Sequence, residues 1–458
     1  MVVVGINSRN KTTPEINDAE KMENPKWTIK QKCVECFKGP RNFIKTLIMI
    51  ICVAAVCQQI SACVRKMIDI PVTTYTHFDF NKTLLYPSVT FCRDPPYKFG
   101  KMHDYDLYGH PFYVNAWENF NFANNSLDHL WEDITFNETD IFLAAGLDGL
   151  PKNIEISPTM GIAQGRCYTL IPKILSTETP SHRGYSVTLQ HTQEDIDTTI
   201  SRIPPGYHVY IHYTKEPFTE VTVYNGGLVD SLYVNVGETL KVKLKVDKYL
   251  MISDADNPCT TEVNYSTNAC TTRYVWDLVG KAAGCSGPWM QSDLPRCSNY
   301  SSMKTLISTY LGLYQAHKCP ECLRTCQTYL YNGYVADRQK QYTWDPHTSK
   351  LVNLRDYKAD SSLQTQVFLY FNSMMVSVYE ERYNYDGNML LSDIGGSVGF
   401  LLGLSVIGLL DVCSKTWFIF VDPLMESKKK EEVDPSCDTA DLKSKQECIE
   451  KWNLKTNN

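Results

Sequence analysis

Residues 390–411 read LLSDIGGSVGFLLGLSVIGLLD and lie inside a longer apolar stretch, Met389–Val412. As a helix, this stretch is long enough to cross about 30 Å of hydrocarbon. It is rich in glycine, which is a poor helix former in water but lets backbones approach closely in a membrane. Its glycines are Gly395, Gly396, Gly399, Gly403 and Gly408. We interpret residues 389–412 as a transmembrane helix, with Thr416–Val421 as an apolar extension.

A carboxylate stands near each end of this segment. Asp393 and Asp411 are 18 residues apart, about five helical turns, so an unbroken helix would place them on one face about 27 Å apart. An intramembrane carboxylate is costly unless it faces water or a cation. The same face would carry Phe400 and Leu404, whereas a break at Gly403–Ser405 would turn carbonyl oxygens toward a water-filled path. The segment is therefore either a helix-packing seam or the lining of a pore.

A second apolar segment, residues 43–64, lies near the N-terminus and is also long enough to span a bilayer. Residues 1–42 are polar and mixed in charge, unlike a secretory signal peptide, and we expect a cytoplasmic tail. Basic residues are frequent before the first segment and after the second, which by the positive-inside rule places both ends in the cytoplasm. Residues 65–388 are then extracellular, and residues 422–458 form a second cytoplasmic tail.

The 17 cysteines of the 458-residue chain support an oxidising environment for the middle region. Nine of them lie between the two apolar segments: Cys92, Cys167, Cys259, Cys270, Cys285, Cys297, Cys319, Cys322 and Cys326. Because nine is odd, at least one thiol is free or pairs elsewhere. The same region holds five predicted N-glycosylation sites: Asn81, Asn124, Asn137, Asn264 and Asn299. The net charge of −6 and the lack of a basic block give no indication of a nucleic-acid partner.

Short runs of alternating or β-branched residues in the middle region predict strands, at residues 88–91, 207–213, 220–224, 240–246 and 366–371. Residues 271–279 and 302–317 have a helical pattern. We therefore predict an α+β membrane protein, with two transmembrane helices around a large disulfide-rich domain that has a β core and appended helices.

Motifs typical of enzymes are missing from the sequence, including G-x-S-x-G, H-E-x-x-H and the P-loop. His208 and His212 lie in an alternating run, which favours a strand over a zinc site. Cys319 and Cys322 form a C-x-x-C pair, for which the extracellular setting favours disulfides over a metal. We expect no enzymatic activity, no metal and no cofactor.

Five separated stretches resemble the degenerin/epithelial sodium channel family, which includes acid-sensing channels and the insect pickpocket subunits. They are YPSVTFC (residues 86–92), GRCYTL (165–170), GYHVYIH (206–212), YSTNAC (265–270) and residues 390–411. The resemblance covers roughly residues 38–412. It implies a hand-shaped domain with palm, finger and thumb parts, and a trimer around a central pore that conducts Na⁺ and is blocked by amiloride.

The resemblance also implies roles for individual residues. Gly403, Leu404 and Ser405 match the G-x-S selectivity filter of the family. Ser392 matches the degenerin site, where a small side chain is compatible with closing. Asp393 and Asp411 match an outer and an inner acid, each of which would become a ring of negative charge in a trimer. The remaining pore and gating positions are Gly396, Phe400, Lys38 and Gly39.

Two departures from the family pattern affect these expectations. The usual His-Gly pair before the first span is Lys38-Gly39 here, which predicts altered gating or dependence on a partner subunit. The disulfide pairing implied by the family is Cys92–Cys167, Cys259–Cys326, Cys270–Cys322 and Cys285–Cys297. Tyr274 and Ala283 stand where further cysteines are expected, so Cys319 lacks a partner.

The leading hypothesis is a subunit of a homo- or heterotrimeric sodium channel in the plasma membrane, opened by a stimulus that the sequence does not identify. Its partners would be the lipid bilayer, Na⁺ and related subunits. A non-conducting auxiliary subunit is the first alternative. An ATP-gated P2X-type channel would need a lysine cluster, of which only Lys98 and Lys101 are found. A CD36-like lipid receptor would have leucine-rich spans instead of a glycine-rich second one.

Overall fold

The computed structural model describes residues 40–192, 204–224, 229–314, 319–340, 342–345, 350–353 and 362–402. The chain divides into two compact units. We call Met1–Pro71 together with Tyr383–Asn458 the terminal unit, and Val72–Arg382 the central unit.

Eight α-helices lie within the described residues. They are α1 (Pro40–Ile68), α2 (Phe99–His103), α3 (Leu127–Ile134), α4 (Glu138–Ile141), α5 (Glu220–Tyr224), α6 (Thr267–Ala283), α7 (Tyr300–Tyr314) and α8 (Gly387–Leu402). Two 3₁₀ turns cover Val114–Trp117 and Pro151–Asn153.

The strands of the described residues belong almost entirely to the central unit. They are β1 (Val72–Phe80), β2 (Leu84–Leu85), β3 (Ser88–Asp94), β4 (Phe142–Leu147), β5 (Ile154–Gly161), β6 (Gly165–Pro172), β7 (Leu175–Ser176), β8 (Tyr185–Thr192), β9 (Gly206–His212), β10 (Val229–Asn235), β11 (Glu238–Leu250), β12 (Cys259–Thr260), β13 (Arg324–Thr325), β14 (Gln327–Lys340), β15 (Tyr342–Asp345), β16 (Lys350–Asn353) and β17 (Ser362–Tyr383).

Two sheets organise the central unit. The first has the order β14-β11-β17-β8-β4, with β1 also paired to β17, and its β11–β17 pair is parallel. The second is antiparallel and has the order β10-β9-β3-β6-β5. Strand β3 is central to the second sheet, and alternation sends Val89 and Phe91 to one face and Cys92 to the other. Both faces of this strand are buried, and its side chains alternate between them as the sequence predicts.

The two sheets share one hydrophobic core, and the helices build a second core. The sheet core contains Val89 and Phe91 from the second sheet and Val242 and Val367 from the first. The helical core includes Trp117, Trp131, Trp289, Leu306 and Ile307. The α+β architecture of the central unit, with its disulfides, confirms that part of the predicted fold class.

One predicted strand is wrong. Residues 220–224 form helix α5 instead, although their alternating valines suggest a strand. The Thr222 hydroxyl donates to the carbonyl oxygen of Thr219 (2.7 Å) and accepts from its amide (3.3 Å). Such local side-chain bonds compete with strand pairing and favour a turn of helix. The other predicted strands and both predicted helices lie within elements of the matching type, except Tyr213, which follows the end of β9, and residues 315–317, which lie outside the described residues.

In the terminal unit, α1 and α8 pack against each other. Within α1, Thr46–Ile68 is long and apolar enough to cross a membrane, with a mean hydropathy of 2.3 over its most apolar window. Among the described residues it is the one helix that meets this criterion, since α8 is described for only 16 residues. The predicted second span continues past Leu402, outside the described residues.

Candidate functional site

Helix α8 begins where Asp386 caps its first turn. The Asp386 Oδ1 atom accepts a hydrogen bond from the Met389 amide at 2.8 Å. A carboxylate in this position satisfies an amide that has no partner within the helix and complements the positive end of the helix dipole. The start of the candidate pore segment is therefore encoded locally, by an aspartate followed directly by Gly387.

Asp393 has a partner that sequence reasoning missed. The Tyr385 hydroxyl donates to Asp393 Oδ2 at 3.0 Å, and the Tyr385 side chain is buried. The Lys66 ammonium of α1 lies 6.0 Å from the centre of the same ring, within range of a cation–π contact. The Asp393 carbonyl oxygen accepts from the Ser397 hydroxyl at 2.7 Å. The predicted outer acid is thus oriented by an aromatic side chain that precedes the helix.

One face of α8 is uncovered in the single chain. Ser392, Gly396 and Phe400 are spaced four residues apart and therefore share this face. All three are exposed, and Phe400 reaches 87 % exposure. Apart from its chain neighbours and the backbone of its own helix, no described atom lies within 4 Å of where a Cβ on Gly396 would be. An exposed apolar helix face needs lipid or another protein surface to cover it.

The structure brings four of the predicted pore and gating residues together on α8: Ser392, Asp393, Gly396 and Phe400. The others lie outside the described residues. These are the predicted filter residues Gly403, Leu404 and Ser405, the inner acid Asp411, and the cytoplasmic pair Lys38 and Gly39.

Four disulfides in the central unit join the pairs that the family resemblance implies. They are Cys92–Cys167, Cys259–Cys326, Cys270–Cys322 and Cys285–Cys297. Cys92 and Cys167 are directly opposite each other on the paired strands β3 and β6. Cys285–Cys297 lies in the helical core, and Cys259–Cys326 lies beside the short β12–β13 pair.

The remaining cysteine, Cys319, lies beside Cys322. The structure gives Cys322 two bonding partners, Cys270 and Cys319, and a sulfur atom forms only one disulfide at a time. One of the three sulfurs is therefore left without a disulfide partner, and the expectation that it is Cys319 stays a prediction. These sulfurs are the one group of possible metal ligands found among the described residues, and the disulfide leaves a single thiol in it.

Glu216 holds the N-terminus of helix α6. Its carboxylate accepts from the amides of Thr267 (3.2 Å) and Asn268 (2.9 Å) and from the Ser266 hydroxyl (2.7 Å). The Ser266 hydroxyl itself accepts from the Ala269 amide. A buried carboxylate at this end of a helix is stabilised by the helix dipole and by the free amides. Sequence reasoning did not identify this role of Glu216.

Glu220 is a buried carboxylate that sequence reasoning did not identify. Its oxygens accept from the Ala163 amide at 2.9 Å and from the Tyr310 hydroxyl at 3.1 Å. Burial raises the pKa of Glu220 from 4.5 to about 7, and those hydrogen bonds oppose the shift. A Cβ on Gly161 would meet the Glu220 carboxylate, so the glycine is required by this close approach.

All five predicted glycosylation asparagines have exposed side chains: Asn81, Asn124, Asn137, Asn264 and Asn299. Two of them also begin helices. The Asn137 and Asp140 side chains form a capping box for α4, and the Asn299 Oδ1 atom accepts from the Ser302 amide at 2.8 Å beside α7. Their modification stays a prediction.

A family profile described as amiloride-sensitive sodium channel matches residues 114–414. The match includes most of the central unit, all of α8 and the predicted filter.

Individual relatives are distant. The chain is 22 % identical to the degenerin-like protein asic-1 of Caenorhabditis elegans, over 69 % of this chain and 40 % of that protein. It is 22 % identical to acid-sensing ion channel 2 of Danio rerio, over 77 % of this chain and 74 % of the relative. It is 21 % identical to degenerin del-1 of Caenorhabditis elegans, over 60 % and 44 %. The chain thus spans less than half the length of two of these proteins.

A solved proton-activated chloride channel is similar at 8 % identity and a TM-score of 0.33, covering 82 % of this chain and 96 % of that one. That likeness is too weak to support any argument about the fold or function.

Proposed function

Because this chain belongs to the amiloride-sensitive sodium channel family, we propose that it is a subunit of a trimeric channel that conducts Na⁺ across the plasma membrane. Members of this family are ion channels, so an enzymatic function is excluded. The single observation that supports a pore role for α8 most strongly is its exposed face of Ser392, Gly396 and Phe400. Three copies of this face around an axis would enclose a path between them.

Polar groups along the same helix suit a path for cations. Asp393, held by Tyr385, would place three carboxylates at the outer end of the path, where they would concentrate cations. Gly403, Leu404 and Ser405 would follow one turn beyond the described helix, with carbonyl and hydroxyl oxygens that replace water around Na⁺. Asp411 would form the inner ring. The family match, which extends to residue 414, supports this assignment.

The membrane arrangement follows from the same proposal. Helix α1, whose Thr46–Ile68 segment is 11 % buried in its most apolar window, would be the first span. Helix α8 and the residues after it would be the second, with both ends of the chain in the cytoplasm. The central unit would then be extracellular, in agreement with its disulfides.

Partner subunits are part of the proposal, since family members assemble with related subunits. Lys38 replaces the histidine that the family usually has before the first span, so we expect weak opening of the homomer and larger currents with a related subunit. The family match leaves the lipid-receptor alternative without support.

The test is expression in cells with low background sodium current, alone and together with related subunits. We expect an amiloride-blocked current that favours Na⁺ over K⁺. Ser392→Phe should increase the current severalfold, because three bulky rings at the narrow part of the pore would oppose closing. Ser405→Cys should change the Na⁺ to K⁺ permeability ratio.

Ser397→Phe is the matched control, since Ser397 lies about 140° around the helix from Ser392. It should leave the current nearly unchanged, with surface biotinylation confirming equal delivery. A subunit that reaches the surface but conducts in no combination, with or without Ser392→Phe, would be auxiliary and the conduction proposal would fail.

A further inference from the structure

The central unit contains a cavity of about 570 Å³ beside the end of strand β3. Its walls include Asp94, Phe99, His110, Tyr113 and His208. Cavities of about 300–1,000 Å³ with mostly apolar walls and a few polar groups are typical of sites for small molecules. The predicted pore residues of α8 are not among those that line it.

Asp94 is the anionic group of this cavity. Its Oδ2 atom accepts from the Tyr233 hydroxyl at 3.1 Å. Among the described residues, no hydrogen bond reaches Oδ1 and no lysine or arginine forms an ion pair with the carboxylate. Burial raises the pKa of the Asp94 carboxyl above its ordinary value, with His208 and Tyr233 opposing the shift. Such a shift reports the cost of holding an anion away from water, which a bound cation would offset.

The neighbouring cation does not neutralise Asp94. Arg93 precedes it on β3, and consecutive strand residues point to opposite faces. The Arg93 guanidinium lies 4.0 Å from the centre of the Phe136 ring. One of its nitrogens also donates to the carbonyl oxygens of Asp140 (3.2 Å) and Gln190 (3.0 Å).

Arg93 also lines the cavity; besides Asp94 and Arg93, the residues that line it are uncharged at neutral pH, and several of them are aromatic. Burial lowers the pKa of His208, and it lowers the pKa of His110 to about 4, so both imidazoles are neutral. The His110 ring makes edge contacts with Tyr97 (5.2 Å between centres) and Tyr113 (6.1 Å). The Tyr113 side chain remains 64 % exposed and Phe99 is half-buried, so both rings keep free surface.

We propose that this cavity binds a small organic cation, an ammonium group joined to an aromatic body. The ammonium would lie against Asp94 Oδ1, and the aromatic body would pack against Phe99 and Tyr113. A carboxylate provides the charge that such a ligand needs, and neutral rings attract both a cation and an apolar body. The site is independent of the pore and of whether the channel conducts.

The test is a binding measurement on the purified full-length chain in detergent, by isothermal titration calorimetry. The probes are phenethylamine, its neutral analogue phenethyl alcohol, and tetramethylammonium. Phenethylamine should bind at least tenfold more tightly than the alcohol. Asp94→Asn should remove most of this preference, whereas Asp293→Asn, the same change at an exposed aspartate away from the cavity, should leave it intact.

Tyr113→Ala is a second variant, chosen because its exposed ring can be removed without opening a core. It should weaken phenethylamine severalfold and tetramethylammonium much less. Equal binding of amine and alcohol, an unchanged affinity in Asp94→Asn, or no binding of any probe would overturn the proposal. None of these outcomes depends on a sodium current, so failure here is distinct from failure of the channel proposal.

Discussion

In the central unit Trp117, Trp131 and Phe91 are almost fully buried, whereas in the terminal unit Ile51 and Phe400 are 58 % and 87 % exposed. Both units are rich in apolar side chains. The central unit covers them with two sheets, a helical core and disulfides, and so it resembles an ordinary extracellular domain. In the described part of the terminal unit, α1 and α8 contact each other but leave much of their apolar surface exposed. Its stability must come from lipid and from other subunits, which is what a pore-forming helix pair requires.

The largest loss of stability that tests this difference between the two units is expected from a substitution at Trp131. Its ring contacts Tyr97 (5.4 Å between centres) and Trp289 (5.1 Å) inside the helical core. Trp131→Ala should cost about 3–5 kcal/mol of unfolding free energy, because it leaves a large cavity. The measurement is the thermal unfolding midpoint of the full-length chain in detergent.

Ile51→Ala is the comparison variant in the terminal unit. Its exposed side chain contacts detergent or lipid. The unfolding free energy of the central unit should therefore stay within about 0.5 kcal/mol of the wild-type value. Equal losses for the two variants would show that the units do not differ as proposed.

The raised pKa of Glu220 predicts that the stability of the central unit depends on pH. The folded state raises its pKa from 4.5 to about 7, so the folded chain binds the proton more tightly than the unfolded chain. The contribution to stability is present below pH 4.5 and is lost as the pH rises through about 7, a loss of about 3 kcal/mol.

Glu220→Gln imitates the protonated side chain and should remove this pH dependence. Above pH 8 the variant should unfold at a higher temperature than the wild type, and near pH 5 the two should be similar. Glu178→Gln, at an exposed glutamate, should follow the wild type throughout. If the unfolding temperature of Glu220→Gln depended on pH in the same way as that of the wild type, Glu220 would not be the group responsible.

A smaller effect is expected at Glu216. Glu216→Gln keeps the shape of the side chain but removes the charge that the α6 amides bind. The expected loss is about 1–2 kcal/mol. Glu262→Gln, at an exposed glutamate near the same helix, should change the unfolding free energy by less than about 0.5 kcal/mol. If the two variants lost equal stability, Glu216 would not be the cap.

Much of this account is readable in the sequence because the signals are local. The apolar length of α1, the buried alternation of β3 and the helical pattern of α6 each depend on neighbouring residues. The order of the motifs also identifies the family, from which the disulfide pairs follow. The prediction of a strand at helix α5 is wrong because bonds between the Thr222 hydroxyl and the Thr219 backbone, not the alternation of valines, decide its local structure.

What the sequence could not provide depends on residues that are distant along the chain. Tyr385 is recognisable as a partner of Asp393 only once the start of α8 is in place. Glu220 meets Ala163 and Tyr310 across 57 and 90 residues. The cluster of three sulfurs can be recognised only when the fold places Cys319 beside Cys322 and Cys270. The count of nine cysteines does not reveal it.

The central claim is that the face of α8 with Ser392 lines a water-filled cation path. The most direct test is the reaction of a cationic methanethiosulfonate reagent with Ser392→Cys and Ser397→Cys in channels that carry an amiloride-blocked current. Wild type is the control, because it retains Cys52, Cys57 and Cys63 in α1. We predict that Ser392→Cys is modified at least tenfold faster than Ser397→Cys, and that its current changes as the reagent enters. Equal modification of both positions, or none at Ser392→Cys in a conducting channel, would contradict the claim.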